Sequence, residues 1–174
     1  MKLLVTYASK YGSTAEIAEV IGDELRRRHY QVEVKPVEDV DSLDGYDAFV
    51  IGSAVYAGGW MKSAAGFLRS NQERLAGHPV WLFSSGPTGQ GDPNEIMDGW
   101  TFPEDLEAVR EKINPRDVIL FHGKIDPERL SATERMIIKS VKATVGDFRD
   151  WLVVRGWARR IDLDLQAMAP SKGN

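Results

Sequence analysis

The sequence predicts an α/β protein, a three-layer sandwich around a doubly wound, five-stranded parallel sheet. Three observations predict it. Short apolar, β-rich runs recur at Lys2–Tyr7, Gln31–Pro36, Ala48–Ser53, Pro79–Ser85 and Asp117–Lys124. Helical patterns alternate with them, which argues for a parallel sheet covered on both faces. Right-handed crossovers then wind those helices onto the two sides of the sheet. Ligands of such sheets lie beyond the carboxyl ends of the strands, near the point where strand order reverses.

The first strand runs directly into Ser9-Lys10-Tyr11-Gly12-Ser13-Thr14, and this loop runs into a helix over Thr14–Arg28. Strand, short loop and helix in that order aim the loop amides and the positive end of the helix at one place, where an anion can sit. Ser9, Ser13 and Thr14 add hydroxyl donors, and Gly12 lets the backbone approach closely. A phosphate monoester suits this pattern better than a plain connector does. The helix carries Ile17, Ala18, Ile21 and Leu25 on one face, and Arg26-Arg27-Arg28 suits its negative end.

After the third strand comes Ser53-Ala54-Val55-Tyr56-Ala57-Gly58-Gly59-Trp60, a small, apolar, glycine-rich loop with two aromatics. A helix over Met61–Leu75 follows, with Ala64, Ala65, Phe67, Leu68 and Leu75 inward. The fourth strand opens into Ser85-Gly86-Pro87-Thr88-Gly89. The irregular stretch Gly86–Arg116 is too rich in turn formers at its start to be helical, holds a helix at Glu104–Ile113, and is expected to be a binding or lid element.

The last third reads as helix. Ser131-Ala132-Thr133-Glu134 fits a capping box, followed by Met136, Ile137, Ile138, Val141 and Val145. Gly146 interrupts, and a final helix carries Phe148, Trp151, Leu152 and Ile161, with Trp151 and Trp157 expected in the core and Arg159-Arg160 near its end. The chain is expected to form one domain over residues 1–162, with a flexible tail over 163–174 that frays from Ala167.

Composition narrows the chemistry. With no cysteine there is no disulfide, cysteine nucleophile, iron–sulfur ligation or thiolate zinc site. His29, His78 and His122 lack metal-ligand spacing and read as surface or loop residues. The apolar run at the amino terminus is too short for a signal peptide and no stretch is long enough to span a bilayer, so a cytoplasmic protein is expected. The net charge of −4 is uneven: residues 1–109 carry 9 Lys/Arg against 17 Asp/Glu, residues 110–160 carry 12 against 7. Such a locally basic third suits an acidic substrate or an anionic lipid surface, and its interleaved carboxylates argue against nucleic acid.

The three loops leave the carboxyl ends of strands together. A phosphate loop beside two apolar loops, one of them aromatic, suits a flat ring attached to a phosphate. The candidate ligand residues are Ser9, Lys10, Tyr11, Gly12, Ser13 and Thr14 for the phosphate. For the ring they are Ala54, Val55, Tyr56, Ala57, Gly58 and Trp60, with Ser85, Gly86, Pro87, Thr88 and Gly89. Tyr56 or Trp60 would stack on one ring face. No metal ligand, covalent nucleophile or general base is identified.

Tyr7-x-Ser9-x-x-Gly12-x-Thr14-x-x-x-Ala18-x-x-Ile21 resembles the flavodoxin phosphate-loop signature, with Thr6 where that signature has an apolar or aromatic residue. The resemblance covers about residues 1–160 and implies the strand order 2-1-3-4-5. It also implies FMN, its phosphate in the first loop and its isoalloxazine between the loops after strands three and four. A narrower likeness lies in three stretches: Ile51–Trp60, Phe121-His122-Gly123 with the later Met136-Ile137-Ile138-Lys139, and Asp150-Trp151-x-x-Val154-x-x-Trp157-Ala158-x-x-Ile161. These look like the flavodoxin-type, menaquinone-dependent protoporphyrinogen dehydrogenases. That likeness implies oxidation of protoporphyrinogen IX to protoporphyrin IX, electrons passed to quinone, and peripheral contact with the inner face of a membrane. The stretch after strand four is more acidic and richer in Gly and Pro than that family's basic loop. Three alternatives stay open: an electron shuttle of the flavodoxin kind with its own redox partner, an FMN-dependent NAD(P)H:quinone reductase, and a flavodoxin-like domain that has lost its ligand. The oligomeric state is not read from the sequence.

Overall fold

In a computed structural model, which describes residues 1–168, the alternation of apolar runs becomes a parallel sheet of β1 (Lys2–Ala8), β2 (Gln31–Pro36), β3 (Ala48–Tyr56), β5 (Val80–Ser85) and β6 (Asp117–Phe121). Their order is β2-β1-β3-β5-β6, all parallel, which is the expected 2-1-3-4-5 arrangement of the main strands. Strand order reverses at β1, which lies between β2 and β3, so the ends of β1 and β3 frame the crevice where a ligand fits.

The strands bury both faces because helices cover both. α1 (Ser13–Arg26) and α6 (Trp151–Met168) pack on Leu3, Val5, Val50, Trp81, Phe83 and Phe121. On the other face α2 (Lys62–Leu75) and α4 (Glu107–Ile113) pack on Leu4, Phe49, Ile51 and Leu82. Gly52 in β3 is demanded by packing: a Cβ there would come within 2.1 Å of the Phe83 ring.

β3 runs on to Tyr56, past the expected end at Ser53, and turns back into a short antiparallel β4 (Gly59–Trp60) through Ala57 and Gly58. Both turn residues have positive φ (49° and 75°), the two-residue hairpin geometry whose twist matches the strands. At the other end, β6 stops at Phe121 because His122 and Gly123 leave the sheet. Lys124–Ile125 (β7) instead pairs with Gly146–Asp147 (β8).

The stretch from Gly86 to Arg116 is not a lid along its length. α3 (Pro93–Ile96) is a single turn capped by the Asp92 side chain. Beyond it, Phe102, Leu106, Val109 and Ile113 are buried in the core on the α2 side. Leu106, Val109 and Ile113, three and four residues apart, face the core from the helical stretch that the sequence places at Glu104–Ile113, a 3-10 turn over Glu104–Leu106 running into α4. The excursion from the sandwich is instead residues 122–150, which hold β7, α5 (Ala132–Ser140) and β8. The Ser131–Glu134 capping box opens α5 as expected. No residue of α5 is buried, and Met136, Ile137, Val141 and Val145 stand exposed.

α6 begins at Trp151, so Phe148 lies outside it. Trp157 and Ile161 are core residues, whereas Leu152 points to solvent and Trp151 is half-buried beneath the Arg149 guanidinium, 4.6 Å from its ring centre. The helix continues to Met168 and buries Leu165, so no tail begins at 163; residues 169–174 of the expected tail lie outside the described residues. Apolar spacing at 154, 157, 158, 161 and 165 keeps one face of α6 on the sheet past the expected boundary.

An ion network joins α6 to α1. Glu24, buried on α1, accepts from Arg159 at 2.9 Å and Arg27 at 3.3 Å, with Arg28 and Arg155 within 4.0 Å. Beside it, the Tyr30 hydroxyl donates to Asp162 at 3.0 Å, and burial followed by that bond pushes Tyr30 up to about 12. The Arg159 hydrogen bond, outweighing burial, holds the Glu24 carboxyl below its ordinary 4.5. A carboxyl lowered by folding leaves the folded state with fewer bound protons in that window. The stability it contributes is therefore complete above about pH 4.5 and is lost as pH falls through the lowered value. Glu24→Gln should be less stable than wild type at neutral pH, with the gap narrowing in urea titrations below pH 4.5. A gap constant with pH would contradict the network's charge.

Candidate functional site

The site begins where β1 ends. Ser9 Oγ accepts from the Gly12 amide at 3.0 Å, closing the loop, and Gly12 at φ +88° turns the chain into α1. Gly12 is the N-cap and offers no side-chain acceptor. The first amides of α1, those of Ser13, Thr14 and Ala15, therefore have no hydrogen-bond acceptor among the described residues. Thr14 is fully buried beside them, and its Oγ1 has no partner among the described residues. A buried unpaired hydroxyl costs about 1–3 kcal/mol, and here it lies with three free donors at the positive end of a 14-residue helix. An anion satisfies all of them at once. Thr6 and Ser63 are likewise buried and unpaired; Thr6 shares the β1 face of Leu4 and Ala8, and Ser63 lies in the first turn of α2, away from α1.

Arg149 supports the loop from behind. Its side chain is 2% exposed, and it donates to the Ser13 carbonyl at 3.0 Å while pairing with Glu16 at 2.9 Å and Asp147 at 2.6 Å. Those bonds fix the start of α1 to the β8 strand and place a cation beneath the loop.

The β3–β4 hairpin separates the two candidate aromatics. Trp60 faces the core, donates from Nε1 to Ser84 Oγ at 2.8 Å and meets the Phe102 ring edge-to-face at 5.1 Å. Its ring packs inward and is 7% exposed, unlike that of Tyr56. A residue one pairing step from the hairpin turn faces one side or the other according to register, and Phe102 supplies an apolar partner on the inner side. Tyr56 is half exposed at the rim, and partial burial followed by the nearness of Tyr11 pushes its hydroxyl up.

Ala54 is buried in β3 and Val55 partly so; Ala57 and Gly58 form the exposed hairpin turn. Ser85 belongs to β5 rather than to the loop after it. From Gly86 the chain is stitched to the end of β6: the Gly86 amide donates to Phe121 O at 3.2 Å, and Gly123 donates to Pro87 O at 2.8 Å. A Cβ on Gly86 would lie 3.0 Å from the Val55 Cβ, so the second and third loops touch there. Thr88 is buried, and Gly89 adopts φ +136°. His122 closes this loop, with Nδ1 3.2 Å from Pro87 O and Nε2 2.9 Å from Gly91 O. The three loops thus meet at the ends of β1, β3 and β5.

A fourth wall escaped the sequence. Arg129 Nη1 donates to the Tyr11 carbonyl at 2.7 Å. Glu134 Oε1 accepts from Lys10 Nζ at 2.5 Å and from the Tyr11 hydroxyl at 2.6 Å, while Oε2 accepts from the Ser131 amide. The Lys10 bond, then Tyr11 and Ser131, holds the Glu134 carboxyl well below the usual carboxylate range. Glu134 was readable only as a capping residue; nothing local signals that its second oxygen reaches across 124 residues to Lys10. The free amides at the start of α1, the rim residue Tyr56 and the Gly86–Gly89 backbone thus lie at the same edge of the sheet.

The chain is similar to known proteins over most of its length. A family profile described as Flavodoxin domain matches residues 4–150. Protoporphyrinogen IX dehydrogenase [quinone] from Escherichia coli K12 is 28% identical over 172 residues, covering 92% of this chain and 94% of that protein. Among solved structures, oxidised flavodoxin 1 from Bacillus cereus matches with a TM-score of 0.53 at 18% identity, covering 82% of this chain and 98% of that one. Rubredoxin oxygen:oxidoreductase from Desulfovibrio gigas matches with a TM-score of 0.63 at 16% identity; it covers 97% of this chain, which spans only 37% of that protein. At these identities the two structures speak for the fold alone.

Proposed function

The chain belongs to the flavodoxin domain family, and from that premise we propose that it is an FMN-dependent oxidoreductase of the protoporphyrinogen dehydrogenase type, oxidising protoporphyrinogen IX and passing the electrons to a quinone. FMN is the cofactor, and the residues present suit it. The unpaired Thr14 hydroxyl and the free amides of Ser13, Thr14 and Ala15 match a phosphate, and Gly12 leaves room for it. Ser9, Lys10 and Tyr11 complete that loop. Tyr56 would cover one face of the ring. Ala54, Val55, Ala57 and Gly58 would line it from the hairpin, and Ser85, Gly86, Pro87, Thr88 and Gly89 from the loop after β5, where backbone amides reach a polar ring edge.

Bound there, FMN supplies the acceptor for electrons that no side chain of this protein can hold. The chain's own share is to grip the phosphate, orient the ring and keep water from it. No side chain is assigned as a proton acceptor.

The observation that favours an enzyme over a plain electron carrier is the 122–150 excursion. It lays α5 against the phosphate loop through Glu134 while exposing Met136, Ile137, Val141 and Val145 beside Arg135, Lys139 and Lys142. An amphipathic basic helix of this kind suits the propionates of a porphyrin and an anionic bilayer that carries quinone. No helix among the described residues is long and apolar enough to cross a membrane, and the contact proposed here is peripheral, on the inner face. The dehydrogenase of Escherichia coli carries quinone in its name.

The test is anaerobic turnover of protoporphyrinogen IX by the FMN-loaded protein with a menaquinone analogue. Porphyrin formation above the autoxidation background is the expected result. A yellow, FMN-loaded protein with no turnover removes the dehydrogenase reading and leaves an electron carrier. Protein that takes up no FMN at micromolar concentration overturns the cofactor as well.

A further inference from the structure

The cations around the phosphate loop are not equivalent. Lys10 is committed to Glu134. Arg149 is buried and spends its guanidinium on Ser13 O, Glu16 and Asp147. Arg129 differs. It sits on the turn between β7 and α5, its side chain is 61% exposed, and it reaches back over the loop from outside. One Nη1 donor is used on the Tyr11 carbonyl, and that same nitrogen lies 3.8 Å from where a Cβ on Gly12 would be. Its Nε faces Asp126 at 3.8 Å, beyond hydrogen-bond distance, and Nη2 has no hydrogen-bond partner among the described residues. A guanidinium has five donors in a rigid fork matched to carboxylate and phosphate oxygens. Here most of that fork is unspent and stands over the mouth of an anion site.

We propose that Arg129 is a phosphate-binding residue contributed by the 122–150 excursion, which completes the anion site over Ser9–Thr14 and makes it select a phosphorylated flavin over the dephosphorylated one. This rests on the flavin reading above. Within the loop the one cation, Lys10, is paired with Glu134, so its other groups, amides and hydroxyls, bind a phosphate by dipoles and hydrogen bonds. Arg129 adds a full positive charge, and it does so from the same turn that leads through Ser131 to Glu134 on the Lys10–Tyr11 side. The residue carrying the selectivity lies 118 positions from the loop it serves.

The experiment measures FMN and riboflavin binding to the apoprotein by flavin fluorescence, at low and high salt, for wild type, Arg129→Gln and Arg129→Lys. Circular dichroism checks that each is folded, as expected for a largely exposed position. For Arg129→Gln, FMN affinity should fall by about tenfold or more, the loss of one charge-assisted hydrogen bond. Riboflavin affinity should stay within about twofold, because riboflavin has no phosphate for the charge to meet, and the salt dependence of FMN binding should flatten. Arg129→Lys, which keeps the charge without the fork, should fall between. An unchanged FMN affinity in Arg129→Gln, or an equal loss for FMN and riboflavin, overturns the assignment while leaving the flavin reading intact. Wild-type protein that binds neither flavin overturns both.

Discussion

Thr14→Asp is expected to give a folded protein that does not retain FMN. The substitution puts a carboxylate where the buried, unpaired Thr14 hydroxyl lies, within the first turn of α1. Acidic side chains are favoured there, because they complement the positive end of the helix and take up free amides. The fold should therefore survive, with a melting temperature equal to or above that of wild type. The same carboxylate occupies the place proposed for the phosphate and repels it. Two like charges about 4 Å apart at the effective dielectric of a protein surface cost about 4 kcal/mol, close to a thousandfold in affinity. Fluorescence titration of the apoprotein with FMN checks the affinity, and thermal melts check the fold. Binding within about tenfold of wild type would mean that the phosphate lies elsewhere. An unfolded variant would mean that the α1 start needs its threonine for packing rather than for a ligand.

Trp157→Ala should produce the largest loss of stability. Its indole is 1% exposed, with ring centres 6.1 Å from Phe83 and 5.6 Å from Phe121, both near edge-to-face. Its Nε1 donates to Asp117 at 2.7 Å, tying α6 to the first residue of β6. Truncation empties a large core volume and removes one partner of that carboxylate, for about 3–5 kcal/mol. For a domain of this size that lowers the melting temperature by roughly 10 °C. Urea unfolding with unchanged slope and a lower midpoint is the expected pattern. A change below about 1 kcal/mol would mean that the indole is not packed between the two phenylalanines.

Much of this architecture is legible in the chain alone. The apolar runs, their alternation with helical spacing, and the hydroxyl-rich loop before α1 are local patterns, and each element forms within about three residues of the expected bounds. The Ser131–Glu134 capping box is also local, with both halves within four residues, and it forms as read. The domain ends later than expected because the apolar spacing of α6 continues past Ile161 to Leu165. The stretch after β5 is mixed: its glycines and prolines begin an irregular segment, while Phe102 and the helical residues Leu106, Val109 and Ile113 beyond them belong to the core.

Adjacent residues are enough to read the main strands and helices, the parallel doubly wound sheet, and the hydroxyl-rich loop before α1 that is proposed to receive a phosphate. Backbone periodicity and turn chemistry act over a few residues, so they are visible in a few residues. Only the tertiary structure decided which way the two aromatics turn. Trp60 is drawn inward by Phe102 and Ser84, leaving Tyr56 at the rim. Only it brought Arg129 and Glu134 to Tyr11 and Lys10, and only it left the apolar residues of α5 in solvent. Amphipathic spacing announces an apolar face but not what meets it. That depends on which distant element arrives there, and the energy of a contact between residues more than about 100 positions apart leaves no mark on the residues beside either one.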